Sequence, residues 1–178
     1  APVFGTLENF SLMLGASSIS AIFAASVAMG VYSGALDLSV PGTAAFSAII
    51  MAQMIGAGMN QGLAILTALL IGAGIGALNG LIVQTGLNPL AVTIGTLSIT
   101  SGLAAIVTDG LPLFEKMDQL AWLGTSIYFG IPSTFYVVAI IFVVGTIFLT
   151  KTRGGIRFMA AGGNPEALRR AGVNSNVY

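Results

Sequence analysis

Neutral polar residues set inside long apolar runs are the side chains of this sequence best suited to chemistry. Thr93, Thr96 and Thr100 share one face if their segment is helical, because helical neighbours recur every three or four residues. Such a hydroxyl stripe can hydrogen-bond a sugar-like solute, but Ser and Thr also bond neighbouring helices, which is the commoner role. Asn79 carries the same two interpretations. Because these groups are nearly all neutral, they favour a neutral polar solute over an ion.

Asp37 is the one acidic residue between Glu8 and Asp109, and a Pro-Gly pair shortly after it indicates a helix break. Its carboxylate either lines a pathway or caps the N-terminus of the next helix, and the sequence leaves both open. Asn88, directly before a proline, has the features of a helix N-cap. The candidate pathway residues are Asp37, Ser39, Asn79, Asn88, Thr93, Thr96 and Thr100.

A short helix is predicted after the last apolar run. Asn164 can cap its N-terminus, Pro165 suits the first helical position, and Glu166 complements the positive end of the helix dipole. At about seven residues such a helix is marginal alone in water, so it needs either a docking partner or the membrane surface to pack against. Its residues are Gly163, Asn164, Pro165, Glu166, Ala167, Leu168, Arg169, Arg170 and Gly172.

The overall composition is that of a membrane protein, and membrane helices would position these polar groups. Of 178 residues, 56% are hydrophobic and 7% charged, against about a quarter charged in soluble domains. Mean hydropathy is +0.96 and 24 residues are Gly. These values indicate an all-α polytopic membrane protein and exclude a soluble enzyme. Six Lys and Arg balance six Asp and Glu, so there is no basic field to recruit nucleic acid.

The absence of Cys and His excludes most catalytic chemistry. No thiolate or imidazole is present to bind a metal, and no Ser-His-Asp or Cys-His hydrolase can be assembled. The sequence also lacks the Gly-Lys-Ser/Thr triplet of a Walker A loop. We therefore expect no catalytic residue, metal or cofactor, and expect any ATP hydrolysis to belong to a partner chain.

Charged residues divide the chain into about five candidate spans, because a charge is costly in hydrocarbon and a crossing needs about 20 apolar residues. The predicted spans cover residues 10–34, 40–57, 62–84, 89–108 and 128–150, within one transmembrane domain over 1–178. Gly72, Gly76 and Gly80 predict a helix-packing face on the third span.

The basic residues set the predicted orientation. Five of the six Lys and Arg directly follow the last span, so residues 151–178 are expected in the cytoplasm and residues 109–127 in an external loop. That loop carries three acids and one Lys, in agreement with this orientation. The segment 40–57 is short for a span, and if it is re-entrant, everything before it inverts.

Three segments, in order, resemble the motifs of one family. They are Leu36-Asp37-Leu38-Ser39-Val40, the stretch from Thr93-Ile94-Gly95 to Thr108-Asp109-Gly110, and the stretch from Thr152-Arg153 through Gly162-Gly163-Asn164-Pro165-Glu166 to Gly172-Val173-Asn174. On these residues, nearly the whole chain resembles the permease subunits of bacterial ABC importers for monosaccharides, of the ribose, xylose and arabinose type. One departure is Pro41-Gly42, where the family has Gly, so the turn there is expected to differ.

The resemblance implies a type II-like permease fold of about ten helices, of which this chain holds about five and is expected to be a fragment. It implies two permease copies, as a homodimer or heterodimer, on ABC ATPase subunits in the lipid of the bacterial inner membrane. A periplasmic or lipid-anchored sugar-binding protein would deliver a monosaccharide or related polyol for transport by alternating access. The segment 163–172 would hold the coupling helix that inserts into the ATPase.

The competing hypothesis is a self-contained secondary carrier or channel for a small neutral solute, whose Gly-rich helices have a similar composition. A carrier predicts a repeated half or a coupling acid at the midplane, and the sequence contains no internal repeat.

Overall fold

The computed structural model describes residues 4–111 and 120–174, and within them the regular secondary structure is helical apart from one small hairpin. Four of the described helices, Leu7–Tyr32, Gln61–Gln84, Pro89–Thr108 and Ser133–Lys151, are long and apolar enough to cross a membrane, and Val40–Gly56 is shorter at 17 residues. This confirms the all-α polytopic prediction. The elements are α1 Leu7–Tyr32, α2 Val40–Gly56, α3 Gln61–Gln84, α4 Pro89–Thr108, α5 Ala121–Thr125, β1 Ile127–Tyr128, β2 Ile131–Pro132, α6 Ser133–Lys151, α7 Arg153–Gly163 and α8 Pro165–Arg170.

The first compact unit is drawn from Ala1–Ala35 and Ala121–Tyr178, and its helices α1 and α6 run in the same direction. Near the start of α6, Pro132 lies 3.6 Å from the position that a Cβ on Gly15 would take. Beyond the ends of both helices, the backbone of Gly34 meets that of Gly162. Along the chain, Gly15 precedes Gly34 and Pro132 precedes Gly162. Because the earlier residues meet each other and the later residues meet each other, α1 and α6 are parallel.

The second unit, Leu36–Leu120, contains α2, α3 and α4. The side chain of Gln53 on α2 donates to the carbonyl of Val107 on α4 at 3.3 Å. At the other end of α2, a Cβ on Gly42 would collide with Thr100 Oγ1 and lie 2.8 Å from Leu97 Cδ1. Helices α2 and α4 are therefore parallel, and Gly42 lets them approach closely.

The glycine face predicted on α3 makes no tight helix contact with the described residues, so its packing role stays a prediction. Among the described residues, no heavy atom lies within 4 Å of a Cβ placed on Gly76 or Gly80. At Gly72 the nearest atom is Ser47 Oγ, 3.9 Å away. The tight helix contact of this unit is instead at Gly42, which follows Pro41 in the first turn of α2.

The last span begins at Ser133, later than the predicted residue 128, because residues 127–132 form a hairpin. Its turn places Phe129 and Gly130 at positive φ, 53° and 79°. The run is uncharged, so counting between charges gave no sign of a turn. Within the predicted external loop 109–127, residues 112–119 lie outside the described residues, and with them Glu115, Lys116 and Asp118.

Candidate functional site

A chain of side-chain hydrogen bonds crosses the second unit where α2 begins. Asn79 of α3 donates through Nδ2 to Ser39 Oγ at 3.0 Å, and its Oδ1 accepts from Thr96 Oγ1 of α4 at 2.6 Å. Ser39 donates in turn to Asp37 Oδ1 at 2.6 Å. Ser39 is 3% and Asn79 6% exposed. One buried amide therefore links the start of α2 to both neighbouring helices.

Asp37 holds the turn that leads into α2. Its Oδ1 accepts from the backbone N–H of Ser39 at 2.8 Å as well as from the Ser39 hydroxyl. The Ser39 side chain, at the N-cap position, makes no capping bond to the helix. The carboxylate thus fixes Ser39 and does not cap the amides of α2 directly, and its role in a pathway stays a prediction.

The network residues of α3 and α4 lie more than one helical turn away from the nearer ends of those helices. At about 1.5 Å per residue, Asn79 is roughly 7 Å from the C-terminal end of α3, and Thr96 roughly 10 Å from the N-terminal end of α4. Helix α2 therefore begins at the level of Asn79 and Thr96 rather than at the ends of α3 and α4. It follows residues 35–39, which have no regular structure. Non-helical backbone at membrane depth is tolerated only where protein buries it or a polar cavity is lined by it.

The other two threonines of the predicted stripe are buried but bond to backbone. Thr100 Oγ1 donates to the carbonyl of Thr96 at 2.8 Å, one turn earlier on the same helix. Thr93 Oγ1 lies 3.4 Å from the carbonyl of Leu36, in the segment that leads to Asp37. Thr93 therefore supports the network at its edge, whereas the hydroxyl of Thr100 bonds carbonyl groups of its own helix.

Asn88 lies apart from the network. It is exposed and its Oδ1 accepts from the N–H of Leu90 at 2.9 Å, which makes it the N-cap of α4. The structure therefore does not bring Asn88 together with Asn79 and Thr96.

Two hydroxyls of α2 were missed by the sequence analysis. Thr43 and Ser47 continue the face of Ser39 at a spacing of four residues, and both point toward Gly72 of α3. Their buried Oγ1 and Oγ atoms have no hydrogen-bond partner among the described residues, and Ser47 is 7% exposed. The Ser-x3-Thr-x3-Ser spacing was the signal that could have identified this stripe.

The short helix α8 forms as predicted. Asn164 ends α7 and caps α8, because its Oδ1 accepts from the N–H of Ala167 at 2.9 Å. Glu166 pairs with Arg169 at 2.6 Å and with Arg170 at 3.3 Å. Gly172, at φ +78°, follows the helix. The predicted cap, the charged residues and the final glycine are therefore all found at one helix of 6 residues.

The outward surface of α8 is charged. Leu168 is 8% exposed, so the one large apolar side chain of this helix faces its own chain. Pro165, Glu166 and both arginines are exposed. A partner that meets α8 therefore meets charged and small side chains rather than an apolar anchor.

Within the parts of the chain that the structure describes, no three His, Cys, Asp or Glu residues come together as metal ligands. The fold is that of a multi-pass membrane protein. The chain belongs to the family described as "Branched-chain amino acid transport system / permease component", whose model matches residues 9–178.

Several curated proteins are similar to the chain. The ribose import permease protein RbsC of Escherichia coli (strain K12) is 30% identical over 99% of the chain, which covers 56% of that protein. The L-arabinose transport system permease protein AraH of the same strain is 31% identical over 97%, covering 53%. The autoinducer 2 import system permease protein LsrC of Yersinia enterocolitica is 29% identical over 96%, covering 48%. The chain thus spans about half the length of these relatives. No solved structure matches it.

These similarities confirm the resemblance to ABC importer permeases for monosaccharides. They place the chain in a family of transport components rather than enzymes, in multi-pass proteins of the bacterial inner membrane.

Proposed function

We propose that the chain is part of the permease subunit of an ATP-driven ABC importer that moves a monosaccharide or related polyol by alternating access. The observation that carries this proposal is the Ser39–Asn79–Thr96 network, together with the unpartnered hydroxyls of Thr43 and Ser47. Hydroxyls and amides complement a polyol, which presents donors and acceptors without charge. A branched-chain amino acid would instead require apolar contacts and groups for a carboxylate and an amine.

The parallel pair α1 and α6 supports the orientation proposed for the importer. If both run in the same direction across a membrane, the chain between them must cross an odd number of times. Helices α2, α3 and α4 supply three crossings, so α2 crosses rather than re-enters on the same side. With the basic residues after α6 inside, the end of α1 is then cytoplasmic as well.

The proposal gives α8 the role of coupling helix, with an ABC ATPase as its partner. Its support is the charged outward surface of α8 and the position of α8 directly after α7, whose end contacts the end of α1. A periplasmic or lipid-anchored sugar-binding protein outside, a second permease copy and membrane lipid complete the proposed assembly. No nucleic acid has a part in it.

The test is purification of the protein from its native membrane in mild detergent, with the co-purifying chains identified by mass spectrometry. We expect an ABC ATPase and, after reconstitution with it, ATP-dependent uptake of labelled pentoses. Uptake of leucine in place of sugars would overturn the proposed substrate class. Uptake driven by an ion gradient with no ATPase bound would instead favour the carrier or channel hypothesis.

A further inference from the structure

The junction between α6 and α7 carries a surface that the proposed transport function does not use. Lys151, Arg153 and Ile156 are exposed there, with Ile156 at 52%, and we call them the junction face. Arg157, also exposed, continues this face one turn beyond Arg153. Two or more cations around an exposed aliphatic side chain are typical of helices that lie in a lipid headgroup region.

The junction face is held close to the end of the apolar span. Thr152 breaks the helix and donates from Oγ1 to the carbonyl of Phe148 at 2.6 Å, while it accepts from the N–H of Gly155 at 3.0 Å. A Cβ on Gly155 would collide with that same Phe148 carbonyl, so α7 folds tightly against the last turn of α6. The rings of Phe148 and Phe158 also pack, with centroids 6.4 Å apart.

The opposite side of α7 is occupied by the protein itself. Gly155 and Ala161 are buried, and Gly162 meets the end of α1. Against the described residues, the junction face is therefore the side of α7 that is left uncovered. It continues the exposed apolar surface of α6, where Val144 and Ile147 are both more than half exposed.

The cations of the junction face lack anionic partners. Within residues 4–111 and 120–174, neither Lys151 nor Arg153 forms a salt bridge, whereas Arg169 and Arg170 both pair with Glu166 on α8. The two arginines of α8 are thus compensated in their own helix, whereas Lys151 and Arg153 have no such partner among the described residues. An anionic partner at the end of a span fits this distribution of charge.

We infer that the junction face binds the anionic phospholipid headgroups of the inner leaflet, with Lys151 and Arg153 on phosphates and Ile156 among the upper acyl carbons. This inference rests on the cytoplasmic orientation given under the proposed function. Cationic side chains beside a membrane span interact favourably with an anionic leaflet, each by about fivefold in affinity. The face thereby anchors α7 while α8 remains available to the ATPase.

The test compares two variants that remove the same charge from the same segment. In K151Q/R153Q the junction face loses two cations, and in R169Q/R170Q the helix α8 loses two. Each is made in the intact permease complex, purified, and titrated with phosphatidylglycerol or zwitterionic phosphatidylcholine, with bound lipid counted by native mass spectrometry. We expect K151Q/R153Q to bind phosphatidylglycerol about thirtyfold more weakly, with phosphatidylcholine unchanged, and R169Q/R170Q to retain the lipid.

Equal phosphatidylglycerol binding by K151Q/R153Q and the unmodified protein would overturn the inference. So would loss of the ATPase from K151Q/R153Q with lipid binding unchanged, because the face would then be a protein contact. If R169Q/R170Q keeps its ATPase, the proposed docking role of α8 fails. The lipid inference is decided separately, by the phosphatidylglycerol titration. Should K151Q/R153Q fail to fold, the salt dependence of phosphatidylglycerol binding to the unmodified complex decides, since a phosphate contact weakens as salt rises.

Discussion

Gly34 and Gly162 touch backbone to backbone, one just beyond the end of α1 and the other near the end of α7. A Cβ on Gly162 would collide with the carbonyl oxygen of Tyr32 and lie 2.6 Å from the nitrogen of Gly34. Gly34 itself has φ +80°, which disfavours any other residue. The contact joins the α1 terminus to the segment that caps α8, two residues before Asn164.

Replacing Gly162 with Ala should destabilise the protein by about 1–3 kcal/mol, the usual cost of overpacking against a backbone that cannot move aside. The matched control is G163A, because no described atom lies within 4 Å of a Cβ there. Thermal unfolding of both variants in detergent measures the difference. An equal midpoint for the two variants would contradict the close contact.

Replacing Gly42 with Ala should separate α2 from α4. The added methyl group would collide with Thr100 Oγ1 and lie 3.0 Å from the carbonyl oxygen of Leu97, at an expected cost of about 1–3 kcal/mol. G102A on α4 is the control, since the space around that position is open. Thermal unfolding should rank G42A well below G102A, and the reverse order would refute the predicted packing.

Replacing Asn79 with Leu should abolish sugar uptake at a modest cost in stability. The change removes the bonds to Ser39 and Thr96, at about 1 kcal/mol each. N88A is the matched control, because that residue caps α4 outside the network and its loss costs about 1 kcal/mol. Uptake into proteoliposomes should therefore separate the two variants far more than their difference in stability of about 1 kcal/mol does, and equal transport rates would remove Asn79 from the pathway.

Replacing Asn164 with Ala should unfold α8 locally and release the ATPase. The lost cap is worth about 1 kcal/mol, which is decisive for a helix of 6 residues but minor for the protein. N60A is the control, since it removes the same kind of cap from the 24-residue α3. Hydrogen exchange over residues 166–170 and ATPase pull-down give the readouts. Unchanged exchange there would show that the cap does not hold α8.

The positions of the first four long helices were predicted well from the sequence because charged residues, Gly and Pro lie between them. Residues 62–84 and 89–108 were predicted as spans, and α3 and α4 begin and end within one residue of those limits. Helix α7 was not predicted, since its glycines argue against a helix and only the packing of Gly155 and Gly162 explains them. Tertiary contact here overrides local propensity.

The candidate site was predicted in part. Ser39, Asn79 and Thr96 were selected because a polar group in hydrocarbon needs a partner, and the structure places them in one network. The sequence does not reveal which helix each face meets, so Asn88 was included and Thr43 and Ser47 were not. The missing information is the rotation of each helix about its axis, which decides which polar residues meet in the network.

The depth at which α2 begins constrains how the chain enters the bilayer during synthesis. Asp37 and Ser39 emerge from the ribosome before Asn79, and Asn79 emerges before Thr96. Until α3 and α4 are made, the polar start of α2 has no partner in the lipid, and a 17-residue segment with that start is a weak substrate for insertion alone. We therefore expect α2 to insert stably only after α3 and α4 have been made, so that the second unit enters the membrane in a single step of biogenesis.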